Sequence, residues 1–144
     1  MADQDSFDLD AYLHRVGDAG PVGPDLETLR RLQAAHLGAI PFENLDVRLG
    51  RPVGLDLASL QAKLVRRRRG GYCFEQNTLF AAVLRSIGFD LRTLEARVRP
   101  PGATSPLPRT HMLLRVDVGG DPWLADVFAL EVPAADVLEA LESS

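Results

Sequence analysis

The spacing of the apolar residues changes near residue 90, and this change constrains the fold more than any other feature of the sequence. Before it, apolar residues recur every three to four positions, as on one face of an α-helix. After it, apolar and polar residues alternate, which is the repeat of a half-buried strand. The pattern predicts an α+β fold. We expect a helical domain over residues 1–90, a β-strand domain over 91–127 and a helical C-terminal tail over 128–144.

Four amphipathic helices are predicted in the first domain. Each ends near a glycine or proline, which stop helices. Their apolar stripes cover residues 9–16, 26–37, 57–64 and 80–87. The third helix is expected to run into Arg66–Arg69 and to end at Gly70-Gly71, and the fourth to begin near Cys73. The segment Ile40–Leu45 is expected to be irregular.

A β-hairpin is predicted around Gly119-Gly120, which separates two alternating segments. A two-residue turn there places Val116 opposite Trp123 and makes one face of the hairpin apolar. On the other face, His111 then lies diagonally across from Asp126, within the roughly 7–8 Å that long polar side chains can close. A four-residue turn would place them about 13 Å apart. A His–Asp pair therefore requires the tight turn.

Composition excludes several classes of function. The chain has 144 residues, 46% of them hydrophobic, and a formal net charge of −4, which argues against general binding to nucleic acid or to an anionic membrane. No apolar run approaches the roughly 20 residues of a membrane span, and the first residues are acidic, unlike a secretory signal, so we expect a cytoplasmic location. One cysteine and three histidines match no paired-ligand spacing of a zinc site, so no metal is expected.

Cys73 is the candidate nucleophile. A lone cysteine is more often a small buried residue, but this one follows two glycines and opens a helix, where free N–H groups and the helix dipole stabilise a thiolate. The same N–H groups can donate to the oxyanion of a tetrahedral intermediate. Arg66–Arg69 adds positive potential upstream. These arginines are either solvated side chains that complement the dipole of a helix end or a site for a phosphate-bearing ligand.

His111 and Asp126 are the candidate base and orienting group for this thiol. Each alone would be read as a structural or solvated residue, but their shared face weakens that reading. Glu75 could hold the nucleophile loop through backbone N–H groups or simply complement the helix dipole. His14 and His36 have no recognisable carboxylate partner and are interpreted as surface or core histidines.

Several linked motifs resemble those of the arylamine N-acetyltransferases. The run Arg69–Asn77 is similar to their nucleophile motif, and Ile40–Leu45 is similar to their second hallmark. Thr110–Met112 and Ala125–Val127 resemble the segments that carry the other two triad members. The order of cysteine on a helix, histidine on a strand and then aspartate is also that of papain-like and transglutaminase-like enzymes.

The resemblance implies a helical bundle followed by an antiparallel β-barrel with a cysteine-protease-like core. It implies a ping-pong enzyme in which the thiol takes acetyl from acetyl-CoA, a co-substrate rather than a permanently bound cofactor, and passes it to an arylamine or arylhydrazine. The implied catalytic residues are Cys73, His111 and Asp126. Phe42, Tyr72 and Val98 would line the pocket for a small aromatic amine, although Phe42 and Val98 could equally be ordinary core residues.

The resemblance stops after Val127, where the family pattern continues differently. We expect a shortened or internally deleted member with a partial barrel and without the family's third domain. Exposed strand edges would then favour self-association, and coenzyme A would bind weakly.

Two alternatives stay open. One is an inactive or hydrolytic remnant that keeps the Cys-His-Asp triad without efficient use of acetyl-CoA. The other is a helical binding module that uses Arg66–Arg69 to hold a polyanion.

Overall fold

The protein combines a helical region with an antiparallel sheet in a computed structural model that describes residues 7–97, 102, 104, 111–127 and, for the backbone, 129–133. The predicted α+β class is confirmed. The helices are α1 Leu9–Val16, α2 Leu26–Ala39, α3 Leu45–Arg48, α4 Leu57–Leu60 with a π-helical continuation Gln61–Arg66, and α5 Cys73–Ile87. The strands are β1 Asp90–Ala96, β2 His111–Val118, β3 Asp121–Asp126 and β4 Ala129–Pro133, paired in the order β1-β2-β3-β4.

The ends of α1 follow from local hydrogen bonding and backbone conformation. The Asp8 side chain accepts a hydrogen bond from the backbone N–H of Ala11, which satisfies one of the free donors of the first turn. Gly17 ends the helix in the left-handed conformation, at φ 76°. The predicted start of α2 is also confirmed, but α2 continues through Gly38 to Ala39.

The prediction for the arginine cluster is wrong in its geometry. The helix ends at Arg66, and Arg68 takes a left-handed φ of 54°, so the four arginines do not share a last helical turn. Arg15, which is buried, reaches across from α1 and donates to the carbonyl oxygens of Leu64 and Ala39 at 2.9 Å each. A side chain from another element thus satisfies carbonyls at these helix ends, which local sequence cannot reveal.

The hairpin has the predicted tight turn. Val118 pairs with Asp121 across Gly119-Gly120, both of which have positive φ, and the register continues to Leu114 opposite Ala125. Positive φ at both positions is the requirement of a type I′ turn, which glycine meets without strain. This register is the one that brings His111 and Asp126 to the same face.

The main core lies between the helices and one face of the sheet. Helix α5 packs on β2 and β1, and the fully buried side chains of this core come from both layers. They include Tyr12, Leu29, Leu32, Leu60, Leu64, Leu79, Phe80, Val83, Leu84, Leu114, Val116 and Ala125. A smaller cluster of Leu113 and Leu124 lies apart from the main core. Burial of these side chains fixes the start of α5 against the open end of the hairpin.

Two further elements differ from the prediction. Residues 129–133 form β4, paired with β3, where a helical tail is expected. The alternation in Leu130-Glu131-Val132 and the available edge of β3 explain the strand. Helix α3 begins within the segment expected to be irregular. The tail beyond residue 133 and the predicted loop over 100–108, apart from residues 102 and 104, lie outside the described residues.

Strands β1 and β4 stand at the two edges of the sheet that the structure describes. Self-association through strand edges stays a prediction. Among the described helices, none combines the length and apolar character needed to cross a bilayer.

Candidate active site

Cys73 is the first residue of α5, as predicted, and its side chain is 8% exposed. Tyr72 precedes it in an extended conformation, so the chain turns sharply from Gly70-Gly71 into the helix. The helix start directs backbone N–H groups and the positive end of the helix dipole toward the thiol. The backbone N–H groups of Phe74 and Met112 hydrogen-bond to its sulfur. The site is thus built where α5 meets β2.

His111 lies between Cys73 and Asp126. Its Nε2 is hydrogen-bonded to Oδ2 of Asp126, and its ring is also hydrogen-bonded to the Cys73 thiol. Because Nε2 is occupied by the carboxylate, Nδ1 is the nitrogen available to sulfur. The side chains of His111 and Asp126 are 23% and 14% exposed, so the pair is open to solvent on one side. The structure therefore brings the three predicted residues together in one chain of contacts.

The pKa values of the thiol and the imidazole move in opposite directions. Burial alone would raise the pKa of Cys73, but the hydrogen bonds from His111 and from the backbone N–H of Met112 outweigh it, so this pKa lies below its usual value. Hydrogen bonds to Asp126 and to Cys73 raise the pKa of His111 to about 10. Both shifts favour a thiolate beside an imidazolium at neutral pH. Such a pair is an activated nucleophile with a proton donor in contact.

Three consecutive buried polar residues follow the nucleophile on α5. Glu75, Gln76 and Asn77 are 2%, 1% and 0% exposed, although buried polar groups are costly unless they are hydrogen-bonded. Successive helical residues point about 100° apart, so each of the three reaches a different neighbour. Together they fix the start of α5 to the rest of the site.

Glu75 anchors the nucleophile loop to a buried ion-pair cluster. Its Oε1 accepts a hydrogen bond from the backbone N–H of Tyr72 at 3.3 Å, and its Oε2 lies 2.9 Å from Nζ of Lys63. Lys63 also pairs with Asp46 at 2.8 Å, and Arg69 pairs with Asp46 at 3.3 Å. The two readings left open for Glu75 are therefore decided in favour of a role in holding the loop. Arg69 is an ion-pair partner rather than a solvated charge.

Gln76 joins the loop that precedes Cys73 to the segment before α3. Its Nε2 donates to the carbonyl oxygens of Gly71, at 2.8 Å, and Pro41, at 3.0 Å. Its Oε1 is hydrogen-bonded to Nε2 of the fully buried His36 at 3.0 Å. The hydroxyl of Tyr12 hydrogen-bonds to Nδ1 of the same ring at 2.8 Å. Of the two predicted possibilities, surface or core, His36 is a core histidine, and its partners are neutral groups.

The two loops are in direct backbone contact. Gly71 forms a parallel bridge with Phe42, and the backbone N–H of Glu43 donates to the carbonyl oxygen of Gly71 at 3.1 Å. A Cβ atom on Gly70 would lie 2.0 Å from the carbonyl oxygen of Pro41, so only glycine fits there. This close approach brings the two motifs that resemble the family's hallmarks into direct contact.

The predicted substrate-binding residues lie in different surroundings. Phe42 is 57% exposed, on the loop that bridges to Gly71, so it is not an ordinary core residue. Tyr72 is half-buried next to Cys73, and its ring lies 5.7 Å from that of Phe74. Val98 lies outside the described residues.

Gln76, Asn77 and Lys63 are site residues that were not predicted from the sequence. Gln76 and Asn77 stand within the nucleophile motif, and the run of four polar residues over 75–78, at the start of a mainly apolar helix, was the available signal. Lys63 gave no signal, because its partners come from two distant segments, residues 43–46 and the start of α5. Among the described residues, no cluster of three or more His, Cys, Asp or Glu side chains is arranged to hold a metal ion.

Comparison with known proteins gives the family to which the chain is similar. The family described as N-acetyltransferase matches residues 25–135, which includes the start of the segment where the sequence alone indicates a departure from the family pattern. The arylamine N-acetyltransferase / N-hydroxyarylamine O-acetyltransferase of Salmonella typhimurium is 52% identical over 120 residues, which are 83% of this chain and 42% of that protein. The arylamine N-acetyltransferase of Mycolicibacterium smegmatis is 50% identical, over 85% of this chain and 46% of its own length.

Solved structures give the same family. The structure of the Salmonella typhimurium arylamine N-acetyltransferase superposes with a TM-score of 0.83 at 47% identity, covering 87% of this chain and 48% of that one. The Mycobacterium marinum enzyme in complex with CoA superposes with a TM-score of 0.76 at 47% identity, over 83% and 46% of the two chains. The chain spans less than half the length of these relatives. It belongs to the arylamine N-acetyltransferase family.

Proposed function

We propose that this chain acts as an arylamine N-acetyltransferase, through an acetyl thioester on Cys73. The observation that carries the proposal is the contact chain from Cys73 through His111 to Asp126, with the pKa of the thiol lowered and the pKa of the imidazole raised. The names of its relatives support the substrate class, since they are arylamine N-acetyltransferases. Acetyl-CoA as co-substrate is supported by the relative whose structure holds CoA.

In the first half-reaction, the Cys73 thiolate attacks the carbonyl carbon of acetyl-CoA and forms a tetrahedral intermediate. The backbone N–H groups at the start of α5 are the donors available to its oxyanion. When the bond from that carbon to the coenzyme A sulfur breaks, His111 donates its proton to the departing thiolate. The products are acetyl-Cys73 and free coenzyme A, and the imidazole is left neutral.

In the second half-reaction, the amine nitrogen attacks the carbonyl carbon of acetyl-Cys73. Neutral His111 takes the proton that the nitrogen loses, and the carbon–sulfur bond breaks to release the N-acetyl product. The thiolate–imidazolium pair is thereby restored. Asp126 stays ionised throughout and stabilises the positive imidazolium.

The chain order of a helix-borne cysteine, a strand-borne histidine and a following aspartate supports a cysteine-protease-like core, in which the sheet forms part of a barrel. Phe42 and Tyr72 are proposed contacts for the aromatic ring of the amine, since both lie on the loops that flank Cys73. Val98 remains a proposed contact from the sequence alone. A cytoplasmic location suits this chemistry, because a reducing compartment keeps the thiol free.

Mass spectrometry after incubation with acetyl-CoA tests the proposal. We expect one acetyl group on the peptide that contains Cys73 and none in Cys73→Ala. Added arylamine should remove the acetyl group and yield the N-acetylated amine. Loss of the acetyl group to water at the same rate with and without amine would favour the hydrolytic alternative. A thiol that alkylates rapidly but never acquires acetyl would contradict the proposal.

A further inference from the structure

We infer that Asn77 is a positioning residue whose carboxamide replaces one backbone rung of the β2–β3 hairpin and so turns Asp126 and Met112 toward the reacting groups. The inference rests on the proposed function, because the groups that it positions are those of the proposed reaction. The evidence for this role is the set of hydrogen bonds between the Asn77 side chain and three hairpin residues, Met112, Asp126 and Val127.

The direct backbone hydrogen bonds between β2 and β3 stop one rung before the open end of the hairpin. In an antiparallel pair, rungs with two N–H···O bonds recur at every second residue pair. The register ends at Leu114 opposite Ala125, so the next such rung would join Met112 to Val127. Instead, Nδ2 of Asn77 donates to the carbonyl oxygen of Met112 at 2.8 Å, and the backbone N–H of Val127 donates to Oδ1 of Asn77 at 3.2 Å. The carboxamide stands between the two backbones.

A carboxamide can take this place because it carries the same donor and acceptor as a peptide unit. Asn77 is fully buried, so no solvent competes for these groups. Insertion of a side chain must hold the two backbones farther apart than a direct hydrogen bond would. His111 and Asp126 occupy this widened end of the hairpin.

The first consequence concerns the carboxylate. The Nδ2 group of Asn77 also donates to Oδ1 of Asp126, at 3.1 Å, while Oδ2 of Asp126 bonds to His111. Each carboxylate oxygen therefore has its own donor, and rotation of the carboxylate would break one bond or the other. Asn77 fixes the side chain that orients the imidazole.

The second consequence concerns the thiol. In a regular rung, the N–H of Met112 would point to the carbonyl of Val127. With the strands held apart by Asn77, the N–H of Met112 hydrogen-bonds to the sulfur of Cys73. One inserted side chain thus leaves a backbone donor free for the nucleophile.

Two variants test this role through the pH dependence of iodoacetamide alkylation, which reports the ionisation of the one cysteine. Asn77→Leu keeps the size of the side chain without its polar groups, and Asn77→Ala removes both. We expect the midpoint of Cys73 ionisation to rise by about one pH unit or more in either variant, because the thiolate loses a donor and a well-held imidazolium. An unchanged midpoint in both variants would overturn the inference.

Val83→Ala is the matched control, because Val83 is equally buried on α5 and lies ten residues beyond Cys73. It should weaken the fold and leave the midpoint of Cys73 ionisation in place. An NMR measurement on the unmodified chain covers the case in which neither Asn77 variant folds. A coupling through the hydrogen bond should join the amide nitrogen of Val127 to the carboxamide carbon of Asn77, whereas a coupling to the carbonyl of Met112 would overturn the inference.

Alkylation needs no acetyl-CoA, so the two proposals can fail separately. A midpoint that moves in the Asn77 variants, with no acetyl group ever found on Cys73, would contradict the proposed function alone. Acetylation in the unmodified chain, together with unmoved midpoints in the variants, would contradict the role of Asn77 alone.

Discussion

At the scale of single residues, the ionisation of the Cys73 thiol depends on contacts among three side chains. Burial raises the pKa of the Cys73 thiol, and the hydrogen bond with His111 lowers it. His111 in turn depends on Asp126, whose hydrogen bond is the largest cause of its raised pKa. A change at Asp126 should therefore alter the pKa of the Cys73 thiol through His111, without direct contact between Asp126 and the sulfur.

Asp126→Asn should slow alkylation of Cys73 at pH 7 by about tenfold or more. The amide keeps the shape of the carboxylate but loses its charge, so the pKa of His111 falls and the pKa of Cys73 rises. Rates with iodoacetamide across pH would measure this shift. The control is Asp117→Asn, whose carboxylate pairs with Arg115 at 3.1 Å and should leave the rate unchanged. Equal rates in the two variants would show that Asp126 does not act on the thiol.

At the scale of elements, the nucleophile loop is held by backbone proximity and by a buried ion-pair cluster. Gly70 lies against Pro41, and Glu75 ties the loop to Lys63. Neither contact is local in sequence. Pro41 lies between α2 and α3, and Lys63 lies in the π-helical continuation of α4.

Gly70→Ala should destabilise the chain by about 2–3 kcal/mol and slow alkylation, because the added methyl group cannot fit beside the Pro41 carbonyl. Gly38→Ala is the matched control, since a Cβ there meets no atom within 4 Å and alanine favours the helix by about 0.5–1 kcal/mol. Urea unfolding measures both changes in the free energy of unfolding. Equal stability of Gly70→Ala and the unmodified chain would mean that the loops are farther apart than described.

Lys63→Met should lower the free energy of unfolding by about 3–5 kcal/mol, because it leaves the buried carboxylate of Glu75 without its cation, whereas Asp46 keeps Arg69. The double variant Lys63→Met with Glu75→Gln should recover part of this loss. Arg51→Met is the comparison, since Arg51 is 64% exposed, lies 3.7 Å from Asp46 and should contribute less than about 1 kcal/mol. Similar losses for Lys63→Met and Arg51→Met would contradict the assignment of Lys63 to a buried cluster.

These elements also show what sequence can and cannot predict. The hairpin register followed from Gly119-Gly120, because turn geometry and strand alternation are local rules. The same rules placed His111 beside Asp126. The prediction for Arg66–Arg69 was wrong, since Arg15 donates to the carbonyl oxygen of Arg68 and the acidic partners of Arg69 also come from a distant segment. The helical tail predicted over 128–144 is wrong at residues 129–133, because these residues pair with the available edge of β3.

At the scale of the whole molecule, two histidines should make stability depend on pH in separate ranges. Burial lowers the pKa of His36 to about 4, and the positive charge of nearby Arg15 acts in the same direction. The pKa of His111 is instead raised to about 10. Relative to an unfolded value near 6.5, one histidine resists protonation in the folded state and the other retains its proton.

The free energy of unfolding should fall as the pH drops from about 6.5 toward 4, by up to about 1.4 kcal/mol per pH unit from His36 alone. The unfolded chain binds this proton first, so the contribution of His36 is complete above the unfolded pKa and is lost below it. His111 contributes no slope in that range, because it is protonated in both states. Between about 6.5 and 8.5 the proton that folded His111 keeps is offset by the proton that folded Cys73 has lost. The alkaline fall is therefore expected above about 8.5, where the unfolded thiol also ionises, and toward pH 10. Urea unfolding across pH measures both limbs.

His36→Gln should flatten the acid limb and leave the alkaline limb in place. Proton NMR provides a check that needs no variant, since the ring of His36 should not titrate near pH 6.5. A His36 ring that titrates there would contradict its buried, neutral state.

The most direct test of the central claim is the alkylation rate of Cys73 in the unmodified chain as a function of pH, because the chain has one cysteine and the signal comes from it alone. If Cys73 is a thiolate paired with the His111 imidazolium, the rate should rise to its plateau with a midpoint below the ordinary thiol pKa of about 8.5. It should hold that plateau until His111 loses its proton near pH 10. A rate that rises with a single midpoint near 8.5–9 and is no faster at neutral pH than that of an unperturbed cysteine would contradict the claim.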